Sequence, residues 1–283
     1  MHIRALESLV IPHLTEGIIS PFHTVTELQH MMSSIAMKTK VQPQLTWNET
    51  MTSLSCQGKN LDLDRWRKGT AQAMEDLESL LKEISGGELL DLNIPPNLSE
   101  NLDKEDFGYS WVQLGPFTSP AEQALFRAIG RKFNLTSKNA NGKLVFNRPQ
   151  CRTLEIKIHE CRKLLLFLLK TAPAPPLRMK QYIDMRISNS QRPRNFYKDH
   201  GRNLMIIFDS KTTSQTGQDA FVCAYLPPRL ARALDYFMVL VPELEYVMAA
   251  HLYPSESKDL YKEFLFVSFG NRLTADEGTQ IFK

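Results

Sequence analysis

The stretch from Gln150 to Lys170 constrains this chain more than any other. It reads as one long helix. Its first half carries Arg152, Lys157, Arg162 and Lys163, and its second half, Leu164 through Leu169, is apolar on every side. A helix end with no polar face has to lie inside a core. At six residues, that uncharged run is far too short to cross a bilayer, which takes about 20. Thr-Ala-Pro-Ala-Pro-Pro (171–176) then stops the helix, because proline supplies no N–H and clashes with the preceding turn. The chain is therefore built around a buried helix with a basic entrance.

The remaining elements follow from spacing and punctuation. Thr24-Val-Thr-Glu27 is a capping box ahead of Leu28, Met31, Met32 and Ile35, predicting a short helix to about Met37. Leu54 and Cys56 alternate before Gln57-Gly58-Lys59-Asn60, and Leu61 and Leu63 after it, which predicts a hairpin. Trp66, Ala73, Leu77, Leu80, Leu81 and Ile84 share a helical face that ends at Gly86-Gly87. Residues 85–118 read as a long loop or inter-domain segment, and 134–149 as a loop. Ser119-Pro-Ala-Glu122 starts a helix whose inner face is Leu125, Phe126 and Ile129. A helix resumes at Leu177. Asn203–Phe208 and Phe221–Tyr225 are β-prone runs around the polar stretch 210–219, a hairpin with a long tip. Pro227-Pro228 opens a helix over Leu230–Val241. Pro242 is expected to break it, with a further helix over Glu243–Ala250. Phe264–Phe269 is a short apolar run, and Thr274-x-x-Glu277 is a last capping box. The expected fold is mainly α with a small antiparallel sheet, in two helical regions: 1–110 with one hairpin, and 111–283.

The composition, 42% hydrophobic and 23% charged over 283 residues, is that of a globular chain and not a disordered, collagenous or disulfide-rich one. Four cysteines at 56, 151, 161 and 223 form no CxxC pair, so a reducing, intracellular compartment is expected. The start, MHIRALESLVIPHLTEG, has charges and Pro12 within its only apolar run and reads as neither a secretory signal nor a membrane span. No membrane partner is expected.

The net charge of +3 conceals an imbalance. Residues 1–150 carry 15 Lys/Arg against 17 Asp/Glu, whereas 151–283 carry 19 against 14. From Arg148 to Lys211 the count is 14 basic to 5 acidic, a net of +9. Such a field favours a polyanionic partner unless the fold neutralises it with acidic neighbours.

Standard enzyme signatures are absent: the chain has no GxxxxGK[ST], GxGxxG, GxSxG or HExxH. No cofactor, metal or small-molecule substrate is expected. His159, Glu160, Cys161 and Cys151 are the one cluster of ligand-type residues, but adjacent helical positions point apart. Cys151 and Cys161 read as small core residues, and His159 as a surface or DNA-facing side chain. Cys56 and Cys223, in strands, and Trp47, Trp66 and Trp111 are also expected in the core.

Residues 164–245 run LLLFLLKTAPAPPLRMKQYIDMRI, then NFYKDHGRNLMIIFDSKTTSQTG, then AYLPPRLARALDYFMVLVPELE. This order resembles the core of the tyrosine recombinases, the phage-integrase-like family. More closely, it resembles the divergent form found upstream of the motor in fungal telomere-linked RecQ-type helicases and related fungal mobile-element proteins. SPFHTVTELQHMMSSIAMKT and TWNETMTSLSCQGKNLDLDRWRKGTAQAMEDLESLL are similar to that family too, so the resemblance spans the chain from about residue 20.

The resemblance implies roles. In the family an arginine at the start of a helix grips the scissile phosphate, and a lysine at a β-hairpin turn protonates the leaving oxygen. Arg178 and Lys211 match these two positions, as vestiges. The glutamate three residues after the family arginine is Gln181 here, a departure. No His-x-x-Arg pair follows Lys211, and His251 does not supply one. Tyr253 and Tyr261 match no nucleophile position. The final capping box, with six residues after it, suggests a truncated reading frame. The expectation is a nuclear module that binds double-stranded DNA through its phosphates but is catalytically incomplete. Its basic surface would gather Arg178 and Lys211 with Arg152, Arg162, Lys163, Arg192 and Arg194. Two alternatives stand beside it: a recombinase completed by a partner chain, and a relic that no longer binds DNA. In the bland reading, Arg178 caps a helix or pairs with Asp184, and Lys211 is solvated.

Overall fold

A computed structural model describes residues 45–56, 58–86, 92, 94–114, 120–138, 140–142, 144–172, 177–208 and 221–282. The helix expected at 24–37 and the hairpin tip carrying Lys211 lie outside them. The chain divides into two compact units, Met1–Arg67 and Lys68–Lys283. The boundary expected near residue 110 falls inside the second unit.

In the first unit, strands β1 (Leu45–Trp47), β2 (Ser53–Cys56) and β3 (Lys59–Asp62) form an antiparallel sheet in that order. The β2–β3 hairpin is the one its alternation predicts. Trp47 pairs with Leu54, and Leu54 with Leu61, so an apolar row crosses all three strands. The next row, Thr46, Ser55 and Asn60, points to the opposite face and is polar. Trp47 is 51% exposed and Leu61 42% exposed.

Helix α1 (Leu63–Ile84) begins at Asp62, whose carboxylate accepts from the backbone N–H groups of Asp64 and Arg65. Its inner face, Ala73, Met74, Leu77, Leu81 and Ile84, joins the core of the second unit. Trp66 is 44% exposed. Of the three tryptophans expected in the core only Trp111 is there, at 1% exposure.

The second unit is mainly helical: α1, then α2 (Pro120–Lys132), α3 (Arg148–Thr171), α4 (Met179–Ile183), α5 (Pro228–Leu252), α6 (Ser255–Glu263) and α7 (Ala275–Gln280). Helix α3 is the buried helix the sequence required. Cys151, Leu154, Ile158, Cys161, Leu165, Leu166 and Leu169 on it are all fully buried. Helix α5 packs against it and does not break at Pro242. The proline deprives one carbonyl of its partner, but Leu234 to Pro242 is buried throughout, as are Leu244 and Glu245 beyond it, and that packing outweighs the lost hydrogen bond.

Strands β6 (Phe196–Asp199), β7 (Arg202–Ile207) and β8 (Val222–Tyr225) form an antiparallel meander between α4 and α5. The expected hairpin is β7–β8. β6 was not anticipated, because Arg-Asn-Phe-Tyr-Lys-Asp lacks a clean alternation. Residues 136–146, expected as loop, hold the small hairpin of β4 (Thr136–Lys138) and β5 (Leu144–Phe146). A two-strand ribbon, β9 (Val267–Ser268) with β10 (Asn271–Arg272), falls at the final apolar run.

The stretch between α1 and α2 is a strap on this unit, not a linker. The Gly201 N–H donates to the Leu98 carbonyl at 2.8 Å, and the Glu100 N–H to the Lys198 carbonyl at 3.0 Å. Asn189 fastens it again, exchanging backbone hydrogen bonds with Gly108 and Tyr109. The open edge of β6 is covered in this way.

Candidate nucleic-acid interface

The basic segment 148–211 separates into interior and exterior cations. Arg162 is 1% exposed, and its guanidinium grips both carboxylate oxygens of Glu245 and donates to the Leu265 carbonyl. Arg194 is fully buried, bonded to Glu100 at 2.7 Å, to Asn189 and to the Lys104 carbonyl, with the Tyr197 ring 4.2 Å from its guanidinium carbon. Neither lines a surface, contrary to expectation. A buried arginine needs a carboxylate and full hydrogen bonding, and the strap and α5 provide them. Lys198 is also interior. Its Nζ lies 2.6 Å from Asp235 Oδ2, and Asn203, the cross-strand neighbour of Lys198, donates to Asp235 Oδ1 at 2.7 Å.

The exterior cations include Arg152, Lys163, Arg178 and Arg192. Arg152 is half exposed but engaged: it donates to the Tyr253 hydroxyl at 2.6 Å and to Glu155 at 3.4 Å, and lies 4.1 Å from the Phe269 ring centre. The Tyr253 hydroxyl donates in turn to Glu155 Oε2 at 2.7 Å. Burial, then this bond to Glu155, holds the Tyr253 hydroxyl well above its ordinary pKa, the opposite of an activated nucleophile. Lys163 is paired with Glu160 at 2.7 Å. Arg178 and Arg192 are exposed, and neither has a carboxylate partner among the described residues.

Arg178 is the residue before α4, with extended backbone. Gln181 folds back so that its Oε1 accepts the Arg178 backbone N–H at 2.8 Å. The departure at position 181 thus retains a capping role that a glutamate would also fill. Asp184 pairs with Arg272, not with Arg178. Sequence position puts Lys211 between β7 and β8, outside the described residues.

Several single-residue expectations change. Cys151 and Cys161 are core thiols, but Cys56 is half-buried and Cys223 exposed. His159 is half-buried rather than on the surface, its Nδ1 2.8 Å from the Ser268 hydroxyl. Among the described residues no group of His, Cys, Asp or Glu is arranged to hold a metal. No described helix is long and apolar enough to cross a membrane.

A cavity of about 540 Å³ opens beside the buried ion pair, lined by Glu78 and Leu81 of α1, Pro95 and Pro96 of the strap, Lys198, and Tyr236 of α5. The Lys198–Asp235 pair on its wall escaped the sequence reading. The signal was one acid, Asp235, within the otherwise apolar run Leu234–Val241. A lone acid there implies a buried partner. No protein-family model matches the chain, and neither a curated protein nor a solved structure matches it.

Proposed function

We propose that the second unit is a DNA-binding module on a tyrosine-recombinase-like core, holding duplex DNA through backbone phosphates in the nucleus. The observation that carries this reading is the order of elements around Arg178. A buried helix, α3, is followed by α4 with an exposed arginine before its first turn. A three-strand antiparallel meander comes next, with Lys211 in the β7–β8 connection, and then the long helix α5. The resemblance calls for an arginine that opens a helix after a buried helix and for a lysine on a later β-hairpin, and this order supports the reading. An exposed guanidinium without a carboxylate partner among the described residues is free to take a phosphate, with two oxygens in bidentate register.

The interior placement of Arg162, Arg194 and Lys198 reduces the charge available to DNA. The +9 of the segment includes three cations neutralised inside the fold. Affinity then rests on a few phosphate contacts and falls with salt less steeply than the sequence count suggests.

A mobility-shift series on generic duplex DNA across salt concentrations tests the proposal. Arg178→Ala is expected to weaken binding by about 1–3 kcal/mol and to lower the salt slope by about one. Lys211→Ala is expected to act in the same direction. Absence of salt-dependent binding by the wild-type chain would overturn the reading. Unchanged affinity and slope in a folded Arg178→Ala protein would remove Arg178 from it.

A further inference from the structure

Two arginines, Arg186 and Arg272, converge where the segment after α4 meets the end of α6 and strand β10, and a third, Arg192, is near enough for its charge to act on Arg186. Arg186 donates to the Ser190 hydroxyl and to Glu263, and Arg272 donates to Asp184. Both guanidinium groups pack on the ring of Phe264, their central carbons 4.6 Å and 3.9 Å from its centre. Arg192, on the loop that follows Ser190, is exposed. Among the described residues the charges do not balance: three guanidinium groups stand against two carboxylates, Asp184 and Glu263. Burial, followed by the neighbouring charges of Arg272 and Arg192, holds Arg186 below its usual pKa, as expected of cations drawn together. The Arg272 Nε is buried and has no hydrogen-bond partner among the described residues. One unsatisfied donor and, among the described residues, one uncompensated positive charge therefore sit in this region.

We infer that this notch, formed by Arg186, Arg192 and Arg272 around Phe264, is a binding site for a phosphate group. Phosphate suits the chemistry on the page. Its three or four oxygens accept several N–H donors at once, and its charge supplies what Asp184 and Glu263 leave uncompensated. Stacking on Phe264 holds two of the guanidinium planes in place before the anion arrives. Arg192, exposed on its loop, closes over the anion from the solvent side. The group is either a free phosphate or phosphomonoester, or a phosphate of a nucleic-acid backbone. This inference does not depend on Arg178.

The test uses the full chain with inorganic phosphate, followed by phosphorus NMR line broadening and thermal melting, against sodium chloride at equal ionic strength. Saturable broadening and a rise in melting temperature specific to phosphate are expected. Arg192→Gln, at an exposed position that leaves both ion pairs intact, should weaken phosphate binding about tenfold, the equivalent of one charge-assisted hydrogen bond. Arg131→Gln, which removes an exposed charge from α2, should leave it unchanged. No phosphate-specific response in the wild-type chain, or equal binding by Arg192→Gln, overturns the inference. A duplex-DNA arm separates the sources. A lower salt slope in Arg192→Gln identifies a backbone phosphate, and an unaltered slope with weakened phosphate binding identifies a free one. Loss of DNA binding in Arg178→Ala with intact phosphate binding would leave the notch standing, so the two proposals fail separately.

Discussion

Arg162 and Glu245 lock α3 to α5 through a two-pronged ion pair, with Nη1 2.6 Å from Oε1 and both side chains no more than 2% exposed. The pair lies among apolar side chains, with the guanidinium 5.3 Å from the Phe237 ring centre. Removing one partner strands the other as a buried charge. Arg162→Met is therefore expected to destabilise the fold by about 3–5 kcal/mol in urea denaturation. Arg162→Met with Glu245→Leu should recover most of that loss, because no charge is then left unpaired. If the double variant is as unstable as the single one, the pair has a role beyond mutual neutralisation.

Gly201 tests the strap. Its φ is +75°, and a Cβ placed on it would lie 1.8 Å from the Pro96 carbonyl oxygen. That neighbour is backbone and cannot rotate aside. Gly201→Ala should cost more than about 1 kcal/mol through positive-φ strain alone, with displacement of the strap in addition. Hydrogen exchange should quicken at the Gly201 and Glu100 amides, whose bonds tie the two segments together. Wild-type protection at both amides would mean that the strap holds elsewhere.

Much of the fold was legible because it depends on local pattern. The β2–β3 hairpin, α1, α3 and the β7–β8 hairpin each carry a periodicity and a stop signal, and each forms where those signals place it. What the sequence withheld depends on tertiary partners. Pro242 carries a strong local stop, and only the burial on both sides of it keeps α5 continuous. Arg162 and Arg194 carry the same formal charge as Arg178, and nothing local separates them. The difference is Glu245, 83 residues from Arg162, and Glu100, 94 residues from Arg194. The site was legible as a type of residue at a turn, Arg178, but not as a surface, because the ion pairs that subtract cations from it are non-local.

Glu155 gives a pH signature. It is buried beneath Arg152 and Tyr253, and burial raises its carboxyl above the ordinary 4.5, with the Tyr253 hydrogen bond and Arg152 opposing. The native state therefore holds its proton to higher pH than the unfolded chain does. The resulting stabilisation is fully present below about pH 4.5 and is lost as pH rises through the higher native value. Glu155→Gln retains a neutral hydrogen-bonding group and should remove this dependence. Unfolding free energies of the two proteins from pH 4 upward are expected to diverge in favour of Glu155→Gln. A constant difference across that range would show that the site does not hold its proton.

The four thiols should separate by burial when treated with a water-soluble disulfide reagent near pH 8. Cys161 is fully enclosed on α3, and burial, the largest influence on it, pushes its thiol up to about 12. Burial, reinforced by the Glu155 charge, pushes Cys151 up to about 11. The thiolate is the reacting species, so both are protected twice over, by access and by protonation. Cys223 is exposed on the open face of β8, and Cys56 is half-buried on β2. The native protein should therefore lose Cys223 fastest, Cys56 more slowly, and Cys151 and Cys161 only as it unfolds. Peptide mapping after a short exposure reads this directly. Rapid native labelling of Cys161 would mean that α3 opens to solvent far more often than a core helix can, and that the packing of α3 against α5 is wrong.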